Sequence, residues 1–245
     1  MVDTEEITLK IEALPNQKVR FSKEDAVSDS IRGYLYYKDG EWKFEEIVYC
    51  GCRGHKYSKK LVKADDFIIG LSLESPHKDE FDSNDKHLLP AQGKTGENIK
   101  KQIESIAKKL ELDQKHRYVL LLLNPIQYQT SCYSQLKDKK EYSILSKNKK
   151  DKIRNEVFLE LFLKKGLKTN FKARLRKYAG KNLKILINCC TKNLKSTVAD
   201  VIVKSFSGTN IEYYEGYHPS CWHFFKGGKI SKGKQLQITS ESFFE

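Results

Sequence analysis

The sequence predicts an α/β protein. The expected form is a three-layer α/β/α sandwich around a central, mostly parallel four-stranded sheet, with a β-rich extension at the N-terminus. Three observations predict it. From about Asp65 onward, short apolar runs alternate with segments of helical length. Four of those runs are too short for helices and too continuously apolar for half-exposed strands. Residues 1–63 show period-two alternation instead. The predicted division is therefore 1–63, the extension, and 64–245, the α/β domain.

In the extension, Ile7–Ile11 and Gly33–Tyr37 alternate. Tyr36 to Trp42 reads as a hairpin with Asp39-Gly40 at its turn, because both turn residues tolerate positive φ. Ile47–Tyr49 is expected to continue the second strand. In the α/β part the buried strands are Phe67–Leu73, Tyr118–Leu123, Leu183–Asn188 and Ile211–Tyr214. Helices are expected at about Thr95–Leu110, Asp151–Lys165, Asn170–Tyr178 and Leu194–Phe206, the first capped by Thr95. The order β-α-β-α-α-β-α-β calls for right-handed crossovers and helices on both faces. Of only five prolines, Pro76, Pro125 and Pro219 each follow a predicted strand, and Pro90 sits in the loop after the first. Loops at the carboxyl ends of parallel strands build active sites, so rigid turns there suggest a preorganised one.

Composition narrows the function. Hydrophobic residues make up 39% of the 245, enough for a core, which excludes wholesale disorder. The longest strictly apolar run, Val119–Leu123, is far short of the roughly 20 residues of a membrane helix. The N-terminus, with Asp3, Glu5 and Glu6, lacks the layout of a signal peptide. A cytoplasmic monomer with reduced cysteines and no membrane partner is expected. Cys50, Cys52 and His55 form only a weak metal signal, with no second pair at zinc spacing. The net charge is +13, and Lys137 to Lys184 alone hold seventeen Lys and Arg against five Asp and Glu. A localised basic stripe points to a polyanion, most simply DNA, single- or double-stranded. Lys172, Arg174 and Arg176 lie in it and are expected at phosphates. Solvated helix faces are the plainer explanation for any one of these lysines.

Three segments could carry chemistry. After the first buried strand come Glu74, Ser75, Pro76 and His77, and a carboxylate there is poorly solvated. After the second comes Asn124, whose amide offers a donor and an acceptor suited to a base edge. After the fourth comes Tyr217-His218-Pro219-Ser220-Cys221-Trp222-His223-Phe224-Phe225, an imidazole beside a small-residue turn and then aromatics. Aromatics beside basic groups suit stacking on bases or wedging into a duplex. A cap or loop carboxylate, a turn residue before Pro125 and a structural hydrogen-bonder are the plain alternatives. A carboxylate, an amide and an imidazole after three strands of one sheet favour a functional site.

These segments carry a resemblance. Residues from about 65 to 225 resemble the uracil-DNA glycosylase superfamily. Leu120-Leu121-Leu122-Leu123-Asn124 is similar to the strand ending in the base-reading asparagine. His218-Pro219-Ser220 matches the His-Pro-Ser motif that opens the loop entering the minor groove. Leu73-Glu74-Ser75-Pro76-His77 resembles the first motif, closest to the Gly-Glu-Ala-Pro-Gly form of the iron–sulfur branch. Leu89-Pro90-Ala91-Gln92-Gly93-Lys94-Thr95-Gly96 resembles the Pro-Phe-x-Gly-x-x-Gly segment after it. Two departures matter. Leu73 stands at the first glycine, and Ala91 stands where an aromatic stacks on uracil. A methyl in place of a ring opens the base pocket, here Ser75, Pro76, His77, Ala91 and Asn124. A substituted or glycosylated pyrimidine is then expected, unless Tyr128 or Phe81 refills the space. The cysteines do not reproduce the cluster spacing, so no cofactor is expected.

The resemblance implies a monofunctional DNA glycosylase. Glu74 would stabilise the developing sugar cation and orient water. His218 would donate a hydrogen bond to the leaving base, and Asn124 would read its edge. Gly93, Lys94 and Ser220 would hold flanking phosphates, and Trp222 or Phe224 would be the wedge. Repair of uracil and defence against phages with hypermodified bases are the roles it suggests. Two rivals come from other classes. One is a non-catalytic nucleic-acid-binding module. The other is a magnesium-dependent nuclease using Asp79, Glu80, Asp82 and Asp85.

Overall fold

The structure, a computed structural model, describes residues 6–49, 51–77, 80, 89–206, 209–224 and 230–231. Its strands are β1 (Ile7–Ile11), β2 (Leu14–Phe21), β3 (Ser30–Lys38), β4 (Glu41–Glu46), β5 (Val48–Tyr49), β6 (Cys52–Arg53), β7 (His55–Lys56), β8 (Phe67–Ser72), β9 (Tyr118–Leu123), β10 (Leu183–Asn188), β11 (Glu212–Gly216) and β12 (Ile230–Ser231). Its helices are α1 (Lys94–Lys109), α2 (Tyr133–Leu136), α3 (Lys140–Ser143), α4 (Lys147–Leu159), α5 (Leu167–Ala179) and α6 (Lys192–Phe206). The class is α/β, as expected.

The sheet is larger than expected. It is a mixed, eight-stranded sheet in the order β12-β11-β10-β8-β9-β3-β4, with β7 also paired to β3. The four apolar runs form a parallel set, β11-β10-β8-β9. The correction concerns its neighbours: β3 pairs antiparallel with β9, and β4 and β7 pair antiparallel with β3. Strands β3, β4 and β7 of the N-terminal part thus belong to the same sheet as the α/β segments. The Asp39-Gly40 turn forms as expected, with φ of 54° and 82°. β4 ends at Glu46, however, and Val48–Tyr49 pairs separately with Cys52–Arg53.

Alternation along the strands splits the core between the two faces of the sheet. Ile68, Val119, Leu121 and Leu123 point to one apolar cluster, which also holds residues of the β1–β2 hairpin, α4, α5 and α6. Ile69, Leu71, Leu120 and Leu122 point to the other, with Ile99, Ile103 and Ile106 of α1 and with Trp222. A bulge between Leu183 and Ile185 resets the facing of β10. The chain leaves β8 for β9 on one side, then crosses to β10 on the other. The β8/β10 boundary is therefore the topological switch point, where an open parallel sheet parts its loops into a crevice.

Candidate active site

A cavity of about 450 Å³ opens at that crevice. Leu73, Glu74, Ser75, Pro76 and His77 line it from the end of β8, and Thr191 from beyond β10. His218, Ser220 and Cys221 come from beyond β11, and Ala91, Gly93, Lys94 and Thr95 from the start of α1. Helix α4 closes it with Lys147, Asp151 and Arg154. The size falls within the range of small-molecule sites, and a bare pyrimidine ring leaves much of it empty.

Glu74 is 5% exposed. Its Oε2 accepts from Thr191 Oγ1 at 2.6 Å and from the Thr191 backbone N–H at 3.3 Å. Its Oε1 lies 3.2 Å from Nε of Arg154, which also pairs with Asp151 at 3.5 Å. The carboxylate is thus oriented by a hydroxyl on one oxygen and a cation on the other. It can accept about four hydrogen bonds in all, so capacity for a water remains.

His218 is half-buried, and desolvation lowers its imidazole to about 4, with the charges of His77, Arg154 and Lys195 acting the same way. The ring is therefore neutral at pH 7. Its tautomer follows from its partners. The Ser220 backbone N–H, which can only donate, points at Nδ1 at 3.3 Å, and Ser220 Oγ lies 2.8 Å from the same atom. Nδ1 is the acceptor, so the proton sits on Nε2. The loop is tied down by Asn98 of α1, whose Nδ2 donates to the carbonyls of Pro219 at 2.9 Å and Ser220 at 3.2 Å.

The Ala91 wall depends on a close approach. Ala91 is 1% exposed with φ of +61°. A Cβ on Gly96 would stand 1.9 Å from the Ala91 carbonyl oxygen. The helix start differs from expectation. Lys94 is the first residue, Gly93 stands at the cap, and no side chain caps it, so Thr95 lines the cavity instead.

Most predicted site residues meet here, namely Glu74, Ser75, Pro76, His77, Ala91, Gly93, Lys94, His218 and Ser220. Asn124 does not line the cavity. It is 1% exposed and follows β9 beside Leu73, with neither amide atom hydrogen-bonded. Trp222 is corrected: it is 1% exposed, packs in the α1-side core and donates Nε1–H to the Tyr217 carbonyl at 2.8 Å. Such an indole anchors the loop and is not free to enter a groove. Arg174 is corrected too. It pairs with Asp29 at 2.5 Å and donates to the Asn124 carbonyl at 2.8 Å, which makes it a strut rather than a phosphate ligand. Lys172 and Arg176 lie on the same helix, with Arg176 exposed. Phe224 ends the short helix Pro219–Phe224, and its side chain lies outside the described residues. So do Cys50 of the metal reading, Phe81 of the refilled pocket, and Asp79, Asp82 and Asp85 of the nuclease reading, whereas Glu80 is 4% exposed and lines the cavity. Tyr128 packs against Phe21, ring centres 5.5 Å apart, in the core cluster of the other face, so it does not refill the cavity.

Sequence reading missed Arg154, Lys147, Asp151 and Thr191. A signal existed for each. Lys147, Asp151 and Arg154 follow the i, i+4, i+7 spacing of one helix face. Thr191 follows a buried strand, as Glu74 and Asn124 do. Among the described residues no group of His, Cys, Asp and Glu is arranged to hold a metal, and no helix is long and apolar enough to cross a membrane. No protein-family model, curated protein or solved structure matches the chain.

Proposed function

We propose that the protein is a monofunctional DNA glycosylase acting on a pyrimidine bulkier than uracil. The observation that carries this reading is the pairing, in one cavity, of an oriented Glu74 carboxylate with a neutral His218 whose Nε2 holds the proton. Hydrolysis of an N-glycosidic bond needs those two functions. As the bond from C1′ to the base nitrogen breaks, the base leaves with the electron pair. Nε2–H of His218 stabilises the charge gathering on the base oxygen. Glu74 faces the cation forming at the sugar and holds the water that adds to C1′. That water's proton passes to the carboxylate and then to solvent. Both groups act in a site shielded from bulk water, where fixed charges and dipoles are most effective.

The enzyme would draw the target nucleotide out of the stack, because the bond is otherwise out of reach. Asn124 is assigned to the base edge. Its unpaired amide sits one residue beyond β9 and is buried outside the cavity, so a base contact would satisfy it only once the turn at Asn124 shifts toward the cavity-lining Leu73. The volume left by Ala91 supports a substituted pyrimidine over uracil. The apolar clusters on both faces of the sheet agree with the three-layer arrangement that the resemblance implies. Stripping modified bases from phage DNA is the role that fits such a pocket.

An excision assay tests the proposal. Oligonucleotides carrying uracil, 5-hydroxymethylcytosine or its glucosylated form are incubated with the protein and a chelator, then cleaved with alkali at abasic sites. Release of a modified base, and its loss in Glu74→Gln and His218→Ala, is expected. In a parallel reaction with magnesium and no chelator, strand scission before alkali would favour the nuclease reading. Binding without any product would favour the non-catalytic module.

A further inference from the structure

With Trp222 buried, the surface beside the cavity needs another element to hold a duplex open. The β5–β6 hairpin stands there. Val48 and Tyr49 are 62% and 60% exposed, unusual for large apolar side chains on a well-anchored turn. The anchoring is specific. Gly54 N–H donates to the Ile47 carbonyl at 2.6 Å and closes the base of the hairpin. The Gln92 side chain accepts from the Arg53 backbone N–H and donates to the Arg53 carbonyl, each at 2.8 Å. Gln92 lies between Ala91 and Gly93, both in the cavity wall. The hairpin is therefore clamped to the wall itself. The Tyr49 ring packs edge-on against His55, centres 5.1 Å apart, which restricts its rotamers before any partner arrives. The exposed Lys56 adds positive charge on the same short stretch, as does Arg53, whose Nη1 lies 3.8 Å from a Glu46 carboxylate already shared with Arg32 and Lys100.

We propose that this hairpin is a DNA-contacting wedge, with Tyr49 and Val48 packing on the base stack next to the nucleotide seated in the cavity. The inference rests on the glycosylase reading for the identity of the seated nucleotide. An exposed aromatic held rigid among cations is the arrangement that stacks on nucleobases while basic groups meet phosphates. A second copy of the chain would have to bury the same cationic strip against an equally cationic one, which charge disfavours.

The test uses the full chain and a duplex holding a tetrahydrofuran abasic analogue flanked by 2-aminopurine, so that it does not depend on the base excised. Wild-type protein is expected to bind and raise 2-aminopurine fluorescence as the neighbouring stack opens. In Tyr49→Ala, duplex affinity should fall about tenfold, as expected for losing one stacking contact. The fluorescence rise should be lost, and Tyr49→Phe should restore both. Binding to the matching single strand should change much less, because no stack has to be opened. Unchanged duplex binding and fluorescence in Tyr49→Ala would overturn the proposal. So would loss of self-association in that variant with DNA binding intact. If wild-type protein opens the stack through Tyr49 but excises nothing, the hairpin contact stands and the glycosylase reading fails.

Discussion

At the scale of single residues, the site's chemistry is set by which atoms already have partners. His218 uses Nδ1 to accept from Ser220, so its one proton lies on Nε2. Desolvation lowers the ring from 6.5 to about 4. Activity should therefore persist unchanged from pH 7 to about pH 5, with no limb near 6.5. A rate profile measures this, and a drop centred near 6.5 would show an ordinary, solvated imidazole. The same shift bears on stability. Between 6.5 and about 4 the unfolded chain holds a proton that the folded one does not. Stability therefore rises with pH through that window, by at most about 3 to 4 kcal/mol. His218→Gln should flatten that part of the melting-temperature curve. Glu74→Gln and His218→Ala should each lower kcat by on the order of a hundred- to a thousandfold while leaving DNA affinity intact. Asn124 poses the converse case. A buried amide with no partner costs about 1–3 kcal/mol. Asn124→Leu should melt no lower than wild type, yet lose excision on the order of a hundredfold, two hydrogen bonds' worth. A large fall in melting temperature would instead make Asn124 a structural residue. Glu74 and Asn124 were legible in the sequence because each follows an apolar run, and His218 because it opens the His-Pro-Ser turn after the fourth strand. The contacts of Glu74 with Thr191 and Arg154 were not, because a strand end or a helix face does not say which residue 117 or 80 positions away it will meet.

Elements explain where the sequence reading slipped. α4 was expected from Asp151, but Ser146 caps it and it starts at Lys147. Lysine-rich first turns read as charged loop, since a helix start favours acidic residues. With those four residues restored, Lys147, Asp151 and Arg154 fall on one face, toward the cavity. The α5 stripe shows the opposite error. Charge counting places Arg174 at a DNA phosphate, whereas its guanidinium ties α5 to Asp29 and to the turn after β9. Asp29 is buried and keeps Tyr178 as its other donor at 2.8 Å. Arg174→Ala should cost about 3 kcal/mol in a denaturant titration, the cost of stranding a buried charge. Arg176→Ala, on the exposed side of the same helix, should leave stability unchanged. At α1 the close approach of Gly96 to Ala91 is the sensitive point. Gly96→Ala should destabilise by about 1–3 kcal/mol, because the added methyl meets backbone that cannot move aside. The Ala91 wall would shift with it.

On the scale of the whole molecule, the apolar runs gave away the parallel set because each strand's burial is written in its own residues. Both Tyr118–Leu123 and Leu183–Asn188 form with the expected ends. Nothing local says which strand lies beside which. Residues 1–63 alternate as half-exposed strands do, and that pattern suits a separate extension as well as the flank of a larger sheet. The structure uses β3, β4 and β7 of this stretch as the flank, while β1 and β2 pair only with each other. Ile31 and Tyr34 of β3 pair with Leu121 and Val119 of β9, while Ile31 and Leu35 join opposite core clusters. Arg32, wholly buried on β3, pairs with Glu46 at 2.8 Å, and a Cβ on Gly96 would stand 2.5 Å from its Nη2. Burial lowers this guanidinium to about 10, so it stays charged at neutral pH and needs the Glu46 carboxylate beside it. The N-terminal strands therefore support the α1 start, and through it the Ala91 wall. A fragment of residues 64–245 would leave β9 as a bare edge of six consecutive buried residues, with one face of Leu120 and Leu122 stripped of Leu35 and Trp42. An uncovered edge of that kind pairs with other chains. The fragment is expected to aggregate or to bind a hydrophobic dye without a cooperative melt. A soluble fragment that melts cooperatively would show that residues 1–63 are, after all, a separable extension.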